Sequence, residues 1–146
     1  SLFHHFKSKD DILATVMEQT IIYNFARLKE AAERSNDPEQ QLRDLIKAEL
    51  ISITGDTGAA MAVLVHEWFA LSKEKQEYLL KMRNEYEQIW LDVIEKLRAQ
   101  GKVKHDAFIW RRLVGGSISW SVTWYNPDGK VKVDELTEMV WEMALK

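Results

Sequence analysis

Ser1-Leu2-Phe3-His4-His5-Phe6-Lys7-Ser8-Lys9-Asp10-Asp11-Ile12-Leu13 opens the chain, and its second half is a helix start. Ser8 is placed to cap, Asp11 falls at the third helical position, and Asp10 and Asp11 both sit at the positive end of the helix dipole. Ile12, Leu13, Val16, Met17, Thr20 and Tyr23 carry the pattern onward to about Glu33. A helix of that length is unusual in a globular protein.

The rest of the chain repeats the scheme of capped helices and short breaks. Arg34-Ser35-Asn36-Asp37-Pro38 is a loop and a second start, with Asp37 as cap, Pro38 as first helical residue and Gln40 as the partner reaching back. Leu42, Leu45, Ile46, Glu49, Leu50 and Ile53 follow at helical spacing, and Thr54-Gly55-Asp56-Thr57-Gly58 ends the run. The segment from about Ala59 to Leu71 is apolar nearly all round, which predicts a central, buried helix. Ser72 caps a long helix from Lys73 to about Gln100, with Gly101 in the left-handed stop position. After a basic loop (Lys102, Lys104), Asp106 caps a helix to about Tyr125, Asn126-Pro127-Asp128-Gly129 turns the chain, and Asp134 is placed to cap a last helix. The count is six helices and no strand, an all-α chain without internal repeat.

Composition agrees and narrows the function. The 146 residues make one domain, 46% hydrophobic and 29% charged, with only 2 Pro and 6 Gly but 6 Trp. Zero Cys excludes disulfides, thiolate metal sites and cysteine nucleophiles. No apolar run reaches the ~18 residues of a membrane span, and the polar start has no signal-peptide pattern, so a cytoplasmic location is expected. A net charge of −3 does not suit a chain that coats nucleic acid. Catalytic patterns are missing: there is no Gly-x-Ser-x-Gly, no glycine-rich phosphate loop and no Glu-x-x-His pair. His66 and Glu67 project about 100° apart on a helix, so His66 reads as a hydrogen-bonded core or pocket residue. Arg111 and Arg112 read as salt-bridging or surface residues, with contact to an anionic ligand group as the alternative. No enzyme, metal or cofactor is expected.

The opening stretch resembles the TetR family of transcriptional repressors. In that family an aromatic-aromatic-His-Phe stretch ends the recognition helix of a helix-turn-helix, and a Lys-Ser-Lys-acid-acid-aliphatic start of a long fourth helix follows. His5 and Phe6 match the His-Phe pair, Phe3 matches an aromatic position, and His4 stands where Tyr is common. The later stretch Gly115-Gly116-Ser117-Ile118-Ser119-Trp120, with Trp124-Tyr125-Asn126-Pro127-Asp128-Gly129, is similar to one branch of the family. That branch includes regulators of fatty-acid and sterol degradation that respond to acyl-CoA thioesters.

The resemblance implies a six-helix effector-binding and dimerisation body over residues 8–146, preceded by the remnant of a recognition helix at 1–7. Two further helices would precede Ser1 in the intact protein. His4, His5 and Lys7 would contact operator DNA there, through phosphates beside the major groove. The last two helices would build a four-helix interface in a twofold homodimer, through Gly116, Trp120, Thr123, Trp124, Leu136, Val140 and Met143. Gly115 and Gly116 each cost about 1 kcal/mol against Ala within a helix; close approach of a partner, or room for a ligand, would offset that.

Tyr23, Leu50, Met61, Val65, Trp68, Met82, Tyr86, Ile89 and Trp90 are the candidate lining for a small apolar effector such as an acyl-CoA or another lipid-like molecule. Aromatic and Met stripes at helical spacing also describe ordinary core. The functional expectation is a repressor fragment whose effector binding is coupled to DNA release. The alternatives are a helical lipid-binding or scaffold protein without a DNA role, and a helical-bundle enzyme.

Overall fold

The computed structural model describes residues 8–146, except the side chains of Met61, Leu64 and Val65. The expected DNA contacts His4, His5 and Lys7, and the whole 1–7 segment, lie outside the described residues. The order is α1 (Lys9–Glu33), α2 (Pro38–Thr54), α3 (Gly58–His66), a 3-10 turn (Trp68–Ala70), α4 (Lys73–Ala99), α5 (Ala107–Trp120), a second 3-10 turn (Ser121–Thr123) and α6 (Val133–Leu145). No strand occurs among the described residues, so the chain is all-α.

Local chemistry sets these boundaries. Ser8 Oγ accepts from the Asp11 N–H at 3.3 Å, Asp37 from Glu39 at 3.3 Å, Ser72 from Lys75 at 3.3 Å and Asp106 from Ile109 at 3.1 Å. Gly101, at φ +75°, ends α4, and the Lys102 N–H returns to the Leu97 carbonyl at 2.9 Å. Two caps differ from expectation. The Gln40 side chain donates to Asp44 Oδ1 at 3.1 Å instead of reaching back. The α6 cap is Lys132, whose side chain donates to the Gly129 carbonyl at 2.9 Å and does not cap the helix, and Asp134 in the first turn instead pairs with Lys47 at 2.7 Å.

The expected central helix is not central. The segment after Gly58 stops at His66 and tightens into the 3-10 turn. Ala59, Ala62 and His66 are exposed and Val63 is half-buried, while Phe69 stands 90% exposed. The innermost helix is α2, which packs against all five others. Nine of its seventeen residues are buried, among them the polar Gln41, Glu49 and Ser52. Gln41 donates to the Ala32 carbonyl at 2.9 Å, though its Oε1 is buried with no partner among the described residues; Ser52 donates to the Ala48 carbonyl at 2.8 Å, and Glu49 meets Arg111. The main core joins Leu42, Leu45, Ile46 and Leu50 of α2 to Leu28, Trp90, Ile94, Leu97, Trp110, Ile118 and Trp141. A smaller cluster of Met17, Leu71 and Leu79 lies between α1 and the start of α4.

One buried ionic group fastens α5 to this interior. Arg111 donates to both Glu49 oxygens (2.7 and 3.1 Å) and both Glu87 oxygens (2.8 and 3.0 Å), and its guanidinium lies 4.2 Å over the Trp90 ring. Tyr86 donates to Glu49 Oε1 at 3.0 Å. Burial works against the Arg111 charge, but Glu49 and then Glu87 more than offset it, and its pKa is raised. Gly115 makes room for this arrangement: a Cβ there would come within 2.5 Å of Arg111 Nη1. Gly115 is thus explained by a side chain of its own helix, whereas a Cβ on Gly116 would meet nothing. α6 is strapped to α2 by Arg43, which lies 3.6 Å over Trp141 and donates to both Glu138 oxygens.

Two outcomes are expected. Arg111→Met strands Glu49 and lowers unfolding stability by about 3–5 kcal/mol, read from urea midpoints; adding Glu49→Met recovers most of the loss. Burial, and next the facing Glu49 carboxylate, push Tyr86 well above the ordinary tyrosine value of 10.0. A raised folded pKa leaves stability intact below the unfolded value and erodes it as pH rises beyond. Thermal unfolding should therefore drop steeply above about pH 10, and Tyr86→Phe should flatten that alkaline limb.

Candidate functional site

Two regions qualify, an outer face and an inner cluster. On α5 the exposed residues Ile109, Leu113, Gly116 and Trp120 follow one another at helical spacings and form one stripe. Leu113 is 71% and Trp120 66% exposed. On α6, Met139 and Met143 stand one turn apart, and Met143 is 85% exposed. Trp124, 57% exposed, closes the group beyond the second 3-10 turn, with its ring edge-on to Tyr125. Tyr125 donates to the Val131 carbonyl at 2.9 Å and fixes the turn between the two helices. Together these residues leave several large apolar side chains of α5, α6 and the turn between them exposed.

The expected subunit-face residues divide. Gly116, Trp120, Thr123, Trp124 and Met143 are exposed; Val140 is half-buried against the core, and Leu136 faces inward at 6% exposure. Ile109, Leu113 and Met139 are exposed beside them and lie outside the set that the resemblance implies. The four-three-four spacing from Ile109 through Leu113 and Gly116 to Trp120 was the available signal.

The expected effector-lining residues do not share one place. Leu50 and Trp90 are fully buried in the main core, with Tyr86 and Ile89 packed at its edge. Trp68 and Met82 pack instead on the smaller cluster, beside Leu13, Ala14, Ile21 and Val63. Tyr23 is exposed and lines a groove of about 460 Å³ between α1 and α2. Its hydroxyl donates to Asp56 Oδ2 at 3.0 Å, beside Arg27, whose hydrogen bond holds Asp56 below the usual carboxylate value. The side chains of Met61 and Val65 lie outside the described residues. His66 is exposed, not a core or pocket residue, and Arg111 takes the salt-bridge role described above. The Trp90 Nε1–H is buried with no partner among the described residues. No group of three or more acidic, His or Cys side chains suited to a metal occurs among the described residues, and no described helix is long and apolar enough to cross a membrane.

Residues 35–146 match the family described as the tetracyclin repressor-like C-terminal domain. The HTH-type transcriptional repressor KstR2 of Mycolicibacterium smegmatis is 25% identical over 148 residues, covering 99% of this chain and 72% of that protein. Among solved structures, the superantigen PfiT shares 46% identity at a TM-score of 0.88, over 99% of this chain and 77% of its own. AibR, solved with isovaleryl coenzyme A and operator DNA, has the same fold at a TM-score of 0.84 and 18% identity, over 99% of this chain and 78% of its own. The family match takes in α2 to α6 whole, so the outer face and the buried Arg111 group both fall inside it, and the chain belongs to the tetracycline repressor-like C-terminal domain family, among regulators of transcription rather than enzymes.

Proposed function

We propose that this chain is the effector-sensing and dimerising body of a transcriptional repressor, and that a small apolar effector, of the acyl-CoA class, releases the repressor from operator DNA. The family match over residues 35–146 carries the regulatory reading. Residues 1–7 would be the end of the recognition helix, with His4, His5 and Lys7 at the DNA backbone. α1 would then join the DNA-reading unit to the body.

The twofold partner sits on the outer face. Ile109, Leu113, Trp120, Trp124, Met139 and Met143 leave apolar surface in water that a second copy of the same face would cover. Gly116, with open space where a Cβ would be, is where the partner's helix comes nearest. The effector enters the smaller cluster, beside Trp68 and Met82. Its outer wall is α3, whose described side chains are exposed or half-buried, so that wall is cheap to displace. The acyl-CoA class is supported by the isovaleryl coenzyme A bound in the structurally similar AibR. Ligand binding shifts a population of body shapes, by no more than the effector's preference between them.

A second reading is favoured by one observation, the 46% identity to a protein described as a superantigen. On that reading the same body also stimulates T cells when presented outside the cell of origin.

Sedimentation velocity should find a dimer at micromolar concentration, and Leu113→Asp or Trp124→Arg should give monomers with unchanged helical circular dichroism. A monomeric wild type removes the interface assignment. In a thermal-shift panel of short- and branched-chain acyl-CoAs, fatty acids and sterols, a binder at a hundredfold excess over its Kd should raise Tm by about 8 °C; no response to any thioester removes the effector class. Polyclonal T-cell proliferation with endotoxin-free protein would establish the second reading, and its absence would retire it.

A further inference from the structure

The first turn of α4 holds two other parts of the chain at once, through adjacent side chains. Lys75 donates to Asp10 Oδ2 at 2.9 Å and to Asp11 Oδ1, both in the first turn of α1. Gln76 donates from Nε2 to the Trp68 carbonyl at 2.9 Å and to the Leu71 carbonyl at 3.3 Å, gripping the 3-10 turn that follows α3. One turn later, Tyr78 donates to Glu18 Oε1 at 3.1 Å, again on α1. Between these contacts lies the smaller apolar cluster of Met17, Leu71 and Leu79. The chain thus fastens the start of α1 and the end of the α3 segment to one rigid turn, itself capped by Ser72.

We propose that Lys75 and Gln76 form a two-sided clamp that couples the position of the Trp68–Leu71 segment to the tilt of the first turns of α1, with Lys75 as the positioning residue. The inference rests on the reading of α1 as the connector to the DNA-reading unit for its biological use, but the mechanical coupling stands without it. Lys75 supplies three donors on a flexible stem and meets two carboxylates, so it follows α1 over a short range while keeping both contacts. Hydrogen bonds to Asp11 and Asp10 hold Lys75 above the ordinary ammonium value. Gln76 uses one amide nitrogen on two carbonyls, so a displacement of the 3-10 turn loads the same turn of α4 that holds Lys75. Direct packing of α3 on α1 runs in parallel, and the clamp adds a polar tie at the far end of the helix.

Native-state hydrogen exchange on the full chain tests both halves without any ligand. The readouts are the amides of residues 12–17 in α1 and those of Ala70 and Leu71, which bond to the Glu67 and Trp68 carbonyls. Lys75→Gln should speed exchange at 12–17 by about threefold, and 0.5 M salt should reproduce part of that change in the wild type, as expected for a partly exposed ion pair. Gln76→Ala should speed Ala70 and Leu71 and, through the clamp, 12–17 as well. In the Lys75→Gln background, Gln76→Ala should speed Ala70 and Leu71 only. Lys47→Gln, which removes a distant surface pair, should change neither region. Unaltered exchange at 12–17 in Lys75→Gln overturns the positioning role, and equal effects of Gln76→Ala in both backgrounds overturn the coupling. A monomeric wild type or an empty ligand panel, which would sink the functional reading, leaves these exchange rates as they are.

Discussion

Glu49 places a carboxylate on the innermost helix of the body, and the rest of the structure has to answer that charge. Arg111 does so from α5, Glu87 and Tyr86 complete the group from α4, and Trp90 offers its ring face to the guanidinium. A buried pair of this kind gives little net stability against a well-packed apolar replacement, because desolvation of both ions offsets their attraction. It is strongly selective, however. Any register of α5 that takes Arg111 away from Glu49 leaves a buried carboxylate without its cation, with only the Tyr86 hydroxyl against it, at a cost of several kcal/mol. Gly115 belongs to the same device, since a side chain there would crowd the guanidinium it accommodates.

Fixing α5 also fixes what α5 shows to water. With Arg111 turned inward, Ile109, Leu113, Gly116 and Trp120 point outward. The same logic holds for α6, where Arg43 and Lys47 of α2 take Glu138 and Asp134, and Trp141 lies under the Arg43 guanidinium. The two helices that carry the outer face are therefore both registered by polar side chains of α2. Specific pairing of two rigid copies needs this kind of preorganisation more than it needs extra apolar area.

Much of the fold was legible in the sequence, because caps and breaks are local chemistry. Ser8, Asp37, Ser72, Asp106 and Gly101 each mark a boundary within a residue or so of where it falls. Burial was less legible. The segment around Ala59–Val63 is far more apolar than α2, yet α2 is inside. Mean hydropathy averages over all faces of a helix, whereas α2 buries the stripe of Leu42, Leu45, Ile46 and Leu50, and its polar Gln41 and Glu49 go in with it because Ala32 and Arg111 supply partners that the sequence pattern does not show. Asp134 stands where a cap would, but Lys47 of α2, far earlier in the chain, pairs with it instead. The outer face was partly visible, since Trp120 and Trp124 stand out as large apolar residues near the glycines and Met143 lies on the last helix. The division of the aromatic and Met residues between two clusters was not, because helical spacing fixes a side chain's face without saying which neighbour that face meets.

That division bears on where the body can give. The main core is built around Trp90 and the Leu and Ile side chains of α2 and α4 that exclude water completely, and its one ionic group is satisfied on every side by protein. The smaller cluster has three buried residues, and its outer wall is a nine-residue helix followed by a 3-10 turn. Its polar ties are partly exposed: Lys75 with Asp10 and Asp11, Tyr78 with Glu18. Opening free energy scales with buried apolar contact and with protection of backbone bonds from water, so the two ends of the body differ in resistance. A ligand entering at the main core would have to break the register that holds the outer face together. One entering between α1, α3 and α4 would displace only a thin wall and a few exposed ion pairs, and it would do so beside the first turns of α1. The two regions thus differ in what holds them: side chains of α2 register the outer face, whereas the smaller cluster rests on a thin wall and partly exposed ties beside the first turns of α1.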